Sequence, residues 1–198
     1  MPSPARTKFI DAISSAELLC LKGRATLFSR KQRQVQYHAS LAASVAAWEA
    51  YIESVVRGFF DEISDPLQPR FIALHQITAS RAEVDLKRFN TPNAKNSREL
   101  LYNWTGFDPI NDWNWPARKL GGPATRDRLD EILQVRHSFA HGYPMRRYSW
   151  NCDAKGIPNL TAPAVSMAIA LFTHLVKVTD QGICKHIKNT YSGSIAWY

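Results

Sequence analysis

The stretch Leu41-Ala-Ala-Ser-Val-Ala-Ala-Trp-Glu-Ala-Tyr-Ile-Glu-Ser-Val-Val56 decides the fold class. Leu41, Val45, Trp48, Ile52, Val55 and, beyond the stretch, Phe59 recur at threes and fours, the spacing that puts apolar side chains on one face of an α-helix. From Ala25 onward no proline interrupts the chain until Pro66, and the only glycine is Gly58. The spacing therefore predicts one long amphipathic helix over about 25–64. Its stem, RKQRQVQYH, carries Lys31 and Arg33, and between Glu17 and Glu49 the chain has five Lys or Arg and no acid. Such a stem is either a solvated helical face or a contact for a nucleic acid.

Working outward, Phe9, Ile10, Ile13, Ala16, Leu18 and Leu19 predict a short first helix that ends near Gly23. Residues 65–123 form an insertion broken by Pro66, Pro69, Pro92, Pro109, Pro116 and Pro123, with helical patterns at Phe71 to about Phe89 and at Arg98–Trp104 behind a Ser97 cap. Trp113 and Trp115 fall in a loop-like setting, where they either stack on bases or pin the loop to the core. Two further helices follow, over about 124–142 and about 161–190, the second largely buried. No strand alternation or repeat is visible. The expected class is all-α, in a single domain over 1–198.

Charge and composition narrow the functions. The chain has 198 residues, with 25 Lys and Arg against 17 Asp and Glu, a formal +8. This favours an acidic partner such as a nucleic acid, while 45% hydrophobic residues exclude a disordered basic tail. No run approaches the roughly 18 apolar residues of a membrane span, and MPSPARTKF lacks the apolar stretch of a secretory signal, so no membrane and a cytoplasmic location are expected. Cys20, Cys152 and Cys184 are odd in number and unpaired in spacing, suggesting neither a disulfide framework nor a thiolate metal site.

The segment ATRDRLDEILQVRHSFAHG (124–142) carries the chemistry. On a wheel of about 100° per residue, Leu129, Ile132, Leu133, Phe139 and Ala140 make an apolar stripe, and Arg136 falls at its centre. An arginine there either pairs with an internal carboxylate or lines a cleft or interface. His137 and His141 adjoin it one turn apart. Two such imidazoles can share a metal, but a third ligand and a glutamate base are missing from the pattern, so no metal and no cofactor are expected. The helix C-terminus should favour the protonated form of His141.

Arg136-His137-Ser138-Phe139-Ala140-His141-Gly142 resembles the signature of the HEPN superfamily (higher eukaryotes and prokaryotes nucleotide-binding), an Arg, a polar residue, a few more positions and a His. LAASVAAWEAYIESVV looks like the first core helix of the RiboL-PSP-type branch, with Glu49 matching its internal acid. The resemblance covers roughly residues 35–62 and 124–190. It implies an antiparallel helical bundle, with a homodimer as the usual state that brings two Arg/His motifs into a basic cleft. It further implies a metal-independent endoribonuclease, often a toxin in toxin–antitoxin or other defence systems with an antitoxin protein as partner; other members bind RNA or nucleotides without cutting.

In the nuclease reading Arg136 contacts phosphate, His141 supplies acid–base catalysis and His137 a second polar or basic group, with Ser138 in support. Glu49 is expected to pair with Arg136 or to orient a motif histidine. Arg146 and Arg147, with Lys31 and Arg33, would attract the RNA backbone. Arg136-x4-His141-x-Tyr143 also resembles HEPN toxins paired with a small nucleotidyltransferase antitoxin, in which the tyrosine two places after the His receives AMP.

Overall fold

The structure is a computed structural model that describes residues 2–64 and 69–191. Pro66, counted above among the insertion's breaks, and the tail 192–198 lie outside the described residues. Among the described residues six helices follow in order: α1 (Pro4–Lys22), α2 (Arg30–Glu62), α3 (Pro69–Leu86), α4 (Ala94–Thr105), α5 (Gly122–Ala140) and α6 (Ala162–Tyr191). Two 3₁₀ turns, Pro109–Asn111 and Pro116–Arg118, sit between α4 and α5. Among the described residues the only extended pairings are isolated bridges, Trp115 with Leu120 and Cys152 with Pro158. The class is all-α, as the periodicity predicts.

Local chemistry sets the helix ends. The Ser29 hydroxyl accepts the Gln32 amide at 3.3 Å while the Gln32 side chain accepts the Ser29 amide at 2.8 Å, a reciprocal cap that starts α2 at Arg30 rather than at Ala25. α1 begins earlier than its apolar pattern, at Pro4, because the Ser3 hydroxyl caps Arg6 and donates to the buried carboxylate of Asp180. Ser97 is not a cap. The Asn93 side chain accepts the Asn96 amide at 2.7 Å and opens α4 at Ala94, leaving Ser97 fully buried inside the helix.

α2 is the spine. Its buried face runs from Tyr37 through Leu41, Val45, Trp48, Ile52 and Val55 to Phe59. α1 packs along it, α6 lies against both, and α4 and α5 also touch it. By length and composition α6 could cross a membrane, which the search for an unbroken apolar run does not reveal; here Val165, Ala168, Leu171, Phe172, Leu175 and Val176 face the core of the bundle.

The insertion is tied in by tryptophan. Trp113 is completely buried, its indole N–H donating to Thr179 Oγ1 of α6 at 2.9 Å, and it meets Trp48 edge-on at 5.9 Å. Trp115 is also buried and stacks on His174, whose ring meets the Asn114 carbonyl at 2.6 Å. Of the two roles open to these tryptophans, both take the one in the core. Replacing Trp113 by Ala should cost about 3–5 kcal/mol, through the lost volume and the orphaned Thr179 hydroxyl. Urea unfolding measures this; a loss below about 1 kcal/mol would mean that the insertion is not anchored there.

Candidate functional site

The motif helix α5 docks on α2 by its early and middle turns, where Leu129, Ile132, Leu133 and Val135 are buried. Its last turn emerges. Phe139 is 49% exposed and Ala140 is exposed, so they do not continue the apolar stripe as the wheel predicts, and Ser138 is buried instead. One face of the Phe139 ring is nonetheless covered by His38 of α2, stacked in parallel at 4.1 Å. His38 is itself buried, and its Nδ1 has no hydrogen-bond partner.

Arg136 is half-buried, neither sealed in the core nor free in solvent. Glu49 of α2, also half-buried, lies near enough to feel its charge, although no ion pair joins them. Desolvation and the neighbouring Glu53 raise the Glu49 pKa above the usual carboxylate value, and Arg136 works in the opposite direction.

The chain then reverses. Gly142 adopts φ 68°, a left-handed conformation that favours glycine, and the Tyr143 amide donates to the Ser138 carbonyl at 2.8 Å while the Gly142 amide donates to Phe139 at 3.3 Å. These two bonds are the Schellman closure of a helix. They fold Tyr143 back against the motif: its ring lies 5.8 Å from that of His141 and 6.1 Å from that of His137, and the two imidazoles are 4.2 Å apart. All three rings are exposed. Among the described residues no third His, Cys or carboxylate joins the histidines in a cluster that could hold a metal ion.

The other candidates are distributed unevenly. The Ser138 hydroxyl is spent on its own helix, donating to the Gln134 carbonyl at 2.9 Å. Arg146 reaches back to α5, Nη1 donating to Gln134 Oε1 at 2.7 Å, whereas the Arg147 guanidinium lies over Gly156 in the following turn. Lys31 and Arg33 are exposed, and Lys31 shares the helical face of His38, about 10 Å along the axis toward the N-terminus.

Several residues that shape the site were not singled out in the sequence. His38 is one. Asn151, almost fully buried, binds the Tyr148 amide and the Arg146 carbonyl and so folds the loop after the motif. Tyr148 and Trp150 fasten that loop to α5 through Gln134 and Glu131. Beside the histidines lies a groove of about 500 Å³, lined by residues that include Asp130, Gln134, His137, Tyr143 and Arg146. The spacing of Asp130, Gln134 and Ser138 at four-residue steps is the signal that could have found this face.

The RiboL-PSP-HEPN family model matches residues 8–185. The chain belongs to that family. The match runs through the insertion as well as the core helices, extending the likeness beyond the two segments read from the sequence. The molecule is thus an HEPN module, a class associated with RNA. No curated protein and no solved structure matches the chain.

Burial holds the His38 pKa below the ordinary imidazole value of 6.5. The unfolded chain takes up a proton near 6.5 and the folded chain does not, so the stability contributed by neutral His38 is present above 6.5. It falls as pH drops from 6.5 and is fully lost below the folded-state pKa. His38→Phe keeps an aromatic partner for Phe139 and removes this titration. In urea unfolding between about pH 7.5 and 5, wild type should lose more stability than the variant. Parallel profiles would show that His38 is not buried as described.

Proposed function

We propose that this HEPN domain is a metal-independent endoribonuclease. The observation that carries the reading is the emergent last turn of α5, which gathers the exposed rings of His137, His141 and Tyr143 immediately after half-buried Arg136 in the chain. In the reaction an RNA 2′-OH attacks the adjacent phosphorus while a base takes its proton. The P–O5′ bond then breaks as an acid protonates the leaving 5′-oxygen, giving a 2′,3′-cyclic phosphate and a 5′-OH. His141 is the acid–base residue, Arg136 the bidentate ligand of the charged phosphorane, and His137 the second polar or basic group. Glu49 holds Arg136 in place through its charge. This division of labour needs no metal.

Arg146, Arg147, Lys31 and Arg33 attract the phosphate backbone, an effect that weakens with salt. From Arg136 to Tyr198 the chain has seven Lys or Arg against Asp153 and Asp180, so the sequence from the motif onward is net positive. The working form is a homodimer in which a second copy completes a basic cleft. The setting is cytoplasmic, in a toxin–antitoxin or defence system with an antitoxin protein. The exposure of Tyr143, 62%, and its stacking beside His141 support a role as a modification site; a bulky anionic group there would shut RNA out of the cleft.

The test is incubation of purified protein with varied RNA oligonucleotides in EDTA. Wild type should yield 2′,3′-cyclic phosphate and 5′-OH ends, and Arg136→Ala or His141→Ala should slow cleavage at least about 100-fold. If wild type and both variants are equally inert on every RNA, the catalytic reading fails and the domain is a non-catalytic RNA- or nucleotide-binding module.

A further inference from the structure

Gln134 lines the groove beside the motif. Its Oε1 accepts two hydrogen bonds, from Arg146 Nη1 at 2.7 Å and from the Tyr148 hydroxyl at 2.6 Å. A guanidinium can only donate, so the amide oxygen must face the loop and the amide nitrogen must face away from it. That nitrogen donates to no described residue. One turn earlier, Asp130 Oδ1 accepts the Ala94 amide at 2.8 Å, and Oδ2 has no described partner. Both side chains are half-buried and line the same groove, whose volume of about 500 Å³ suits a small planar ligand. The groove thus offers one fixed donor about 6 Å along the helix from a carboxylate that keeps Oδ2 and the second lone pair of Oδ1 as acceptors, with His137 and Tyr143 also lining it.

We infer that this groove is a base-recognition pocket for guanine, the base lying beside the rings of His137, His141 and Tyr143. The inference rests on the RNA reading above and names the base. The Watson–Crick edge of guanine presents an acceptor, O6, beside two donors, N1–H and the N2 amino group. Gln134 Nε2 donates to O6 and the Asp130 carboxylate accepts from N1–H and N2–H, while the ring stacks on an exposed imidazole or phenol. Adenine and cytosine offer the carboxylate one donor only. Uracil sets a carbonyl oxygen on each side of its one N–H, so one of them would face the carboxylate. Hypoxanthine keeps O6 and N1–H and lacks only the amino group, which makes it the discriminating analogue. A pocket built to hydrogen-bond a group discriminates strongly against a ligand without it, because its own polar atoms are left unpaired.

Calorimetric titration of the whole protein with GMP, IMP, AMP, CMP and UMP tests this. GMP should bind at least about 10-fold more tightly than AMP, CMP or UMP, with IMP between them. Asp130→Asn keeps an oxygen for the Ala94 amide and loses the second acceptor. Gln134→Glu keeps an oxygen for Arg146 and Tyr148 and turns an acceptor toward O6. Each should bring GMP to within about 3-fold of AMP with an unchanged circular dichroism spectrum and melting temperature. Equal binding of all five nucleotides, no binding of any, or a preference that survives both variants would overturn the assignment. Binding is scored without cleavage, so a protein that prefers GMP but cuts nothing fails the nuclease reading alone. A protein that cuts without base preference fails this one alone.

Discussion

The fold depends on the sealed indole of Trp48. It is completely buried at the middle of α2, donates to the Pro92 carbonyl at 2.9 Å, and packs against Trp113, Tyr51 and Phe172. One side chain thus joins the spine to the start of α4, to the insertion and to α6. Burying a tryptophan is worth about 3–5 kcal/mol by truncation, a large part of the 5–15 kcal/mol that keeps a domain folded. Pro92 immediately precedes Asn93, the cap of α4, and Ala94, the amide that Asp130 holds. The Trp48 bond therefore fixes one wall of the groove beside the motif as well as the core beneath it.

With that frame in place, the last turn of α5 can be left exposed. Arg136 sits where the helix leaves the core, and the left-handed Gly142 folds Tyr143 back over the histidines. The loop beyond is then fastened by Asn151, Tyr148 and Trp150. Rigid support under an exposed set of candidate side chains is what the proposed RNA site requires: the contacts would be made to charge and shape, and the groups making them must already be in position.

Much of this was legible in the sequence, because periodicity and caps are local. The threes and fours of Leu41, Val45, Trp48 and Ile52 predict α2, Gly23 and Gly142 mark helix ends, and Arg136 to His141 carry the family resemblance that the family model bears out. What was not legible depends on partners distant in the chain. Ser97 has the composition of a cap, but tertiary packing draws it into the helix interior and Asn93 takes the role. Phe139 has the spacing of a core residue, but the turn it occupies has left α2 except at His38. Asp130 and Gln134 show their four-residue spacing plainly; which way the Gln134 amide faces is decided by Arg146 and Tyr148, and only the folded loop brings those to it.

The central claim is that RNA lies against the last turn of α5. It is tested most directly by photo-crosslinking a 2′-O-methyl oligonucleotide carrying 4-thiouridine to the whole protein and mapping the attached peptides by mass spectrometry. The sugar modification removes the attacking hydroxyl, so the complex stays intact whether or not the protein cuts RNA. Crosslinks on His137, His141, Tyr143 or the residues bordering Arg146 are the result this account predicts. Crosslinks confined to the separate groove between α1 and α6, around Leu21, Arg24 and Lys177, with none on α5, would contradict it.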